Sequence, residues 1–134
     1  MFEARFQTYW ADVDAAGIVY FPHFFKYADH AEEDMFRSGG QDLPAMLKSH
    51  HMLMPRVEAF SKFSKPIPLG GAIRVRLKPE LRGEKAIRYN FEIFSDPAED
   101  KLAEGYITVV CVDAAKFKSV RIPDDIRNIV ARHT

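Results

Sequence analysis

The sequence predicts an α+β fold, in which one long helix packs on a curved antiparallel sheet. Residues 22–38 carry the longest helical spacing of apolar residues, with Phe24, Ala28, Ala31 and Met35 on one face. Elsewhere, apolar and polar residues mostly alternate in short runs joined by turns. Such runs are typical of consecutive antiparallel strands. We therefore expect a strand, the long helix, and then four strands.

The elements follow in order along the chain. The first strand is expected over residues 2–10, because apolar and polar residues alternate there, and a loop of small and acidic residues follows at 11–17. Gly39-Gly40 ends the long helix. Residues 106–112 are apolar on both faces, which predicts a strand covered on both sides. The remaining expected elements are a short helix near 43–48, strands at 56–63, 73–77 and 87–93, and a short C-terminal helix entered at 122–126.

Length and charge limit the classes of function. A chain of 134 residues supports one domain, which we place at residues 1–134. Lys plus Arg and Asp plus Glu are 19 each, which argues against nucleic acid or an anionic membrane as partner. No apolar run is long enough to span a bilayer, and the N-terminus does not resemble a signal peptide, so we expect a soluble cytoplasmic protein. The one cysteine, Cys111, excludes an intrachain disulfide and has the sequence context of an inert core thiol.

Familiar catalytic motifs are absent. The chain has no CxxC, HExxH, GxGxxG, P-loop or Gly-x-Ser-x-Gly segment, so we expect neither a metal nor a cofactor. What remains is the pair Asp12 and Asp14, in the loop before the long helix. A carboxylate there can attack a carbonyl or activate water, while the amides of the first helical turn stabilise negative charge on the oxygen. The same residues also suit an ordinary turn or helix cap.

Residues 12–24 (DVDAAGIVYFPHF) closely resemble the signature D-x-D-x-x-G-[IV]-[VI]-[YWF] of the 4-hydroxybenzoyl-CoA thioesterase family. This family of hotdog-fold enzymes includes the YbgC-like acyl-CoA thioesterases. The resemblance extends over the whole chain, through the Pro66–Gly70 break, the Arg82–Lys85 turn and the segment at 122–125. It implies a hotdog fold and hydrolysis of an acyl-CoA thioester, with coenzyme A as part of the substrate.

The resemblance also implies roles for individual residues. Asp14 would be the catalytic carboxylate, either as nucleophile or as general base for water, and Asp12 would fix the loop. The remaining pocket positions are the backbone amides near Tyr20, Phe21 and His23 as oxyanion donors, Gly17 for close approach of substrate, and Asp29 as an acid on the helix. His23 departs from the family, which often has Asn there, so its role is either a polar pocket residue or a helix-start residue.

Coenzyme A is a large anion and needs cations near its site. By resemblance, its nucleotide contacts lie at Arg82 and Lys85, which flank a turn, and at Lys118, with Lys116 beside it. An ordinary surface role remains open for Arg82 and Lys85. We interpret Arg74 and Arg76 as charges on the solvent face of a strand.

Two further features concern burial and assembly. Glu32 falls near the centre of the apolar stripe, so we expect it either to reach out at the stripe's edge or to pair with an Arg across an interface. A helix Glu is the catalytic acid in another hotdog branch, which is the alternative role. Eleven Phe and five Met are many for so small a domain, and we therefore expect a homo-oligomer, a dimer or tetramer, with the site at the subunit boundary.

Two other functions compete with hydrolysis. A hotdog hydratase or dehydratase uses an acid together with a His, but the spacing of Asp14 and His23 does not match that pattern. A non-catalytic acyl-CoA or acyl-carrier binding module would be expected to lose the motif that this chain keeps. The sequence leaves open an aromatic or aliphatic acyl group, and a CoA or carrier-protein thiol.

Overall fold

A computed structural model describes residues 1–134 and contains three helices and seven strands. The helices are α1 (His23–Ser38), α2 (Leu43–Ser49) and α3 (Asp124–Ala131). The strands are β1 (Phe2–Gln7), β2 (Met52–Leu53), β3 (Arg56–Phe63), β4 (Ala72–Arg82), β5 (Ala86–Ser95), β6 (Lys101–Val110) and β7 (Val112–Asp113). None of the helices combines the length and apolar character needed to cross a membrane.

The main sheet is antiparallel and has the strand order β1-β4-β5-β6-β3, while β2 and β7 form a small separate pair. Helix α1 places Phe24, Ala31 and Met35 in a buried core together with Val75 of β4 and Ile93 of β5. The predicted α+β fold, a long helix on a curved antiparallel sheet, is therefore confirmed.

The first strand is shorter than predicted. It ends at Gln7, which pairs with Ala72 at the start of β4, so no neighbouring strand remains for residues 8–10. Instead, the Thr8 amide donates to the Gly71 carbonyl oxygen, and the chain enters a 3-10 helix at Trp10. The alternation of apolar and polar residues in the sequence continues past the end of the strand, but it no longer marks a buried face there, because Trp10 is 84% exposed.

The sixth strand also differs from the prediction. It begins at Lys101 rather than Tyr106, because the less regular segment 101–105 still pairs with β3 and β5. Its two faces are not equally covered: Ile107 and Val109 are buried, whereas Thr108 and Val110 are half-buried. Cys111 follows and is buried, and burial raises the pKa of its thiol to about 11, so it is neutral near pH 7.

Glu32 is buried, only 2% exposed, and its carboxylate forms an ion pair with Arg56 of the same chain. The expected pairing of Glu32 with an Arg is therefore confirmed, but the Arg comes from the same chain rather than from across an interface, and the side chain does not reach out at the edge of the stripe. Desolvation raises the pKa of Glu32, although Arg56 acts in the opposite direction. Arg56 also donates to Asp29 at 3.1 Å, and so ties α1 to the first residue of β3.

We predict that Arg56→Ala destabilises the fold by about 2–3 kcal/mol near neutral pH, because it leaves the Glu32 carboxylate buried without a counter-charge. The folded-state pKa of Glu32 is raised, so its contribution to stability is complete below the unfolded pKa and is lost as pH rises through the folded pKa. Urea unfolding should therefore show a smaller penalty at about pH 5 than at about pH 8. The control is Arg37→Ala, which removes two exposed ion pairs on the helix that carries Glu32 and should cost under about 1 kcal/mol. Equal penalties at both pH values would contradict this account.

Candidate active site

The loop between β1 and α1 folds back on itself before the helix begins. The Asp14 amide donates to the Ile18 carbonyl oxygen at 3.0 Å, and the Tyr20 amide donates to the Asp12 carbonyl oxygen at 2.9 Å. Gly17 lies at the tip with φ +77°, a conformation that glycine adopts without strain. A Cβ at Gly17 would meet no atom within 4 Å, so backbone conformation rather than crowding within the chain explains the glycine.

The Asp12 side chain is buried at the base of this loop. Its carboxylate accepts hydrogen bonds from the Lys26 ammonium, the Tyr27 hydroxyl at 2.8 Å and the Tyr9 amide at 3.0 Å. Burial by itself would raise the pKa of Asp12, but these hydrogen bonds outweigh it and lower the pKa to about 2. An ionised Asp12 therefore connects the loop to the first turns of α1. Sequence reasoning missed Lys26 and Tyr27, although their spacing places both near the N-terminal end of the helix.

Asp14 lies on the surface of the chain. One carboxylate oxygen, Oδ1, accepts a hydrogen bond from the Ala16 amide at 2.8 Å, and Oδ2 makes no hydrogen bond. The five principal clefts of the chain do not include this residue. The carboxylate is thus oriented by its own loop and has an oxygen available, but a single chain does not enclose it.

The amides at the start of α1 are not equally available. The Tyr20 amide is bound to Asp12, and the His23 amide donates to the Tyr20 carbonyl oxygen at 2.9 Å. The Phe21 amide makes no hydrogen bond, and Pro22 has no N–H. Of the three amides expected as oxyanion donors, only that of Phe21 is free, which narrows the expectation to one residue.

An aromatic surface extends from the loop to the edge strand β3. The ring centroids of Tyr20 and Phe21 are 5.2 Å apart, those of Phe21 and Phe63 are 6.1 Å apart, and Phe24 packs beneath Phe63 at 4.9 Å. Tyr20, Phe21 and Phe63 are all exposed. His23 is half-buried, with its ring 6.0 Å from that of Tyr20. We call Tyr20, Phe21 and Phe63 the aromatic strip.

The predicted coenzyme A residues lie at the opposite end of the sheet. The Lys85 carbonyl accepts from the Cys111 amide at 2.9 Å, and the Lys118 carbonyl accepts from the Asp113 amide at 2.8 Å, so Lys85 and Lys118 lie on adjacent segments. Strand β4 begins beside the Asp14 loop and ends at Arg82, and the strand is roughly 33 Å long. One chain therefore brings Arg82, Lys85 and Lys118 together, but not with Asp14.

Arg74, Arg76 and Asp29 all make ion pairs within the chain. Arg74 is buried rather than solvent-facing, because its guanidinium pairs with Glu3 at 3.4 Å and Glu99 at 3.0 Å. Arg76 is half-buried and shares these partners. Asp29 faces Arg56 rather than the Asp14 loop. No group of three or more His, Cys, Asp or Glu could hold a metal ion.

Comparison with known proteins identifies relatives along nearly the whole chain. Residues 8–130 match the family model described as the thioesterase-like superfamily. A 1,4-dihydroxy-2-naphthoyl-CoA hydrolase from Thermosynechococcus vestitus is 27% identical over 89% of this chain and 81% of its own length. One from Crocosphaera subtropica is 31% identical over 70% of this chain and 69% of its own length. A solved 1,4-dihydroxy-2-naphthoyl-CoA thioesterase from Synechocystis superposes with a TM-score of 0.91, at 25% identity, over 97% of this chain and 95% of its own. These matches confirm the resemblance found in the sequence.

Substitution of the two acids of the loop should lower stability by very different amounts. Asp12→Ala leaves Lys26 and the buried Tyr27 hydroxyl without their partner, and we expect it to lower the free energy of unfolding by about 2–3 kcal/mol. Asp14→Ala removes an exposed side chain with one hydrogen bond and should cost under about 1 kcal/mol. Thermal or urea unfolding of the two variants measures the difference. Similar losses for both would contradict the separation of roles.

Proposed function

Because this chain belongs to the thioesterase-like superfamily and is a thioester hydrolase, we propose that Asp14 is its catalytic carboxylate and that an aroyl-CoA is its substrate. The observation that carries the proposal is that one hydrogen-bonded loop holds a carboxylate oxygen and a backbone amide that both lack hydrogen-bond partners. The first is Oδ2 of Asp14 and the second is the Phe21 amide.

The chemistry follows from these two groups. The Phe21 N–H, at the positive end of α1, would donate to the thioester oxygen as negative charge develops there. The Asp14 carboxylate would either attack the carbonyl carbon, expelling the thiolate and leaving an anhydride that water hydrolyses, or remove a proton from an attacking water. Both routes consume one water and release a free acid and CoA. Neither needs a metal or a separate cofactor.

The acyl group would lie on the aromatic strip. Tyr20 and Phe21 adjoin the Asp14 loop and offer exposed ring surface, on which an aromatic acyl group can pack edge-to-face or offset. The relatives favour the same substrate class, since they are named as enzymes that act on 1,4-dihydroxy-2-naphthoyl-CoA.

A second copy of the chain would complete the site. Asp14 and the predicted coenzyme A residues are separated by the length of β4, which exceeds the reach of one extended pantetheine arm. The aromatic strip is open in the single chain and continues onto the unpaired edge of β3. If a partner covers this strip, the Arg82–Lys85 turn of one protomer can hold the nucleotide of a substrate whose thioester lies at the partner's loop.

We expect Asp14→Asn to fold normally and to lose about a hundredfold or more of aroyl-CoA hydrolysis, because Asn is neither a nucleophile nor a base. Thiol release measured with a dye detects this directly. Asp34→Asn, which neutralises an exposed acid on α1, is the matched control and should keep wild-type activity. Full activity in Asp14→Asn would overturn the catalytic assignment.

Complementation tests the shared site. Asp14→Asn chains are mixed with Lys85→Ala/Lys118→Ala chains under conditions that exchange subunits, and activity is measured below the wild-type KM. In a random mixture of dimers, about a quarter of the sites would carry neither defect, so activity should rise well above that of either variant alone. Activity equal to the average of the two separate variants would show that each site belongs to one chain.

A further inference from the structure

The loop between β7 and α3 presents an exposed aromatic side chain between two cations. Phe117 is 63% exposed and is flanked in sequence by Lys116 and Lys118. Neither lysine forms an ion pair, and neither does Lys85 on the adjoining turn. An exposed phenyl ring between two unpaired lysines in the chain is suited to a ligand that has both a flat ring and phosphates.

The backbone holds Phe117 in this position at a conformational cost. Its φ is +54°, in the left-handed region that bulky residues rarely adopt. Asp113 fixes the loop: its carboxylate accepts from the Ala115 amide at 3.1 Å and the Lys116 amide at 2.7 Å, and its carbonyl oxygen accepts from the Phe117 amide at 2.8 Å. The ring is thus displayed on an ordered loop, where Gly or Asn would be less strained.

The loop lies beside the turn that joins β4 and β5. The Lys85 carbonyl oxygen accepts from the Cys111 amide, and the Glu84 carbonyl oxygen accepts from the Ile122 amide at 2.8 Å, so the turn borders both ends of the loop. Two carboxylates, Glu84 and Asp113, also occur here, and that of Asp113 is bound by the loop's own amides. Three lysines, Lys85, Lys116 and Lys118, outnumber them, so the turn and the loop together carry a small excess of positive charge.

We propose that Phe117 stacks on the adenine ring of coenzyme A and thereby selects CoA thioesters over carrier-protein thioesters. The inference rests on the proposed function only in taking an acyl thioester as substrate. A carrier protein offers the same pantetheine arm with no adenine, so stacking on Phe117 stabilises CoA alone. The lysines bind the phosphates, whereas the aromatic ring contributes the discrimination.

The test compares Phe117→Ala with wild type on a pair of thioesters that share one acyl group, acyl-CoA and acyl-pantetheine. Loss of one base-stacking contact should raise KM for acyl-CoA about tenfold, with kcat unchanged and with KM for acyl-pantetheine unchanged. Phe117→Trp keeps a stacking surface and should retain the low KM. Equal effects on both substrates, or none on either, would overturn the proposal.

A binding measurement separates this inference from the proposed function. Calorimetric titration with free coenzyme A should show about tenfold weaker binding in Phe117→Ala, whether or not the protein hydrolyses any thioester. Phe117→Gly should match that loss while unfolding at the same or a higher temperature, because glycine relieves the left-handed strain. Coenzyme A affinity that is unchanged in both variants would contradict the stacking role, even if the enzyme is an active thioesterase.

Discussion

The buried carboxylate of Asp12 is the interaction on which the candidate site depends. It is the one acid of the β1–α1 loop that the chain surrounds, and its partners come from the residues before the loop, at Tyr9, and from the helix after it, at Lys26 and Tyr27. A buried carboxylate is costly unless its hydrogen bonds are made, so the geometry of the loop and the ionisation of Asp12 support each other. The same hydrogen bonds lower the pKa of Asp12 in the folded protein. Their contribution to the stability of the fold is complete above the pKa that Asp12 has in the unfolded chain, and it is lost as the pH falls toward about 2.

With Asp12 held, the rest of the loop has little freedom. Its two strands of backbone face each other between Asp12 and Tyr20, and Gly17 turns the chain at the tip. At its end, just before α1, the loop leaves the Phe21 amide without a hydrogen-bond acceptor. Asp14 is consequently placed by its backbone hydrogen bond to Ile18 and by the Ala16 amide, which binds only Oδ1 of its carboxylate and leaves Oδ2 available for chemistry.

The antiparallel sheet imposes a second constraint. Strand β4 runs from the Asp14 loop to the Arg82 turn without interruption. Within one chain, Asp14 and the predicted coenzyme A cations therefore lie at opposite ends of the sheet. In the proposed shared site, one acyl-CoA contacts Asp14 of one copy and the Arg82–Lys85 turn of a second copy. The exposed aromatic strip and the unpaired edge of β3 are the surfaces that such a copy could contact.

Local patterns in the sequence predicted the helix, the sheet class and the Asp12–Asp14 loop, because helical spacing, alternation and turn residues act over a few positions. Features that depend on distant partners were missed or wrong. The ends of β1 and β6 are decided by where β4 and β5 run, and the partner of Glu32 is Arg56, which lies 24 positions away on another element.

The availability of amides was likewise beyond the sequence. Tyr20, Phe21 and His23 are equivalent as donors in a motif, and only the fold of the loop shows that Asp12 and Tyr20 occupy two of them. Lys26 and Tyr27 were overlooked because neighbouring residues on a helix face different directions. Both side chains donate to the Asp12 carboxylate only because the loop places that carboxylate between them.

The most direct test of the central claim is a crystal structure with an acyl-CoA analogue in which a methylene group replaces the thioester sulfur. We predict that the analogue's carbonyl oxygen lies about 3 Å from the Phe21 amide nitrogen, with a carboxylate oxygen of Asp14 facing the carbonyl carbon. The adenine should then contact a different copy of the chain. An analogue bound with its carbonyl remote from Asp14, or held entirely within one protomer, would contradict it.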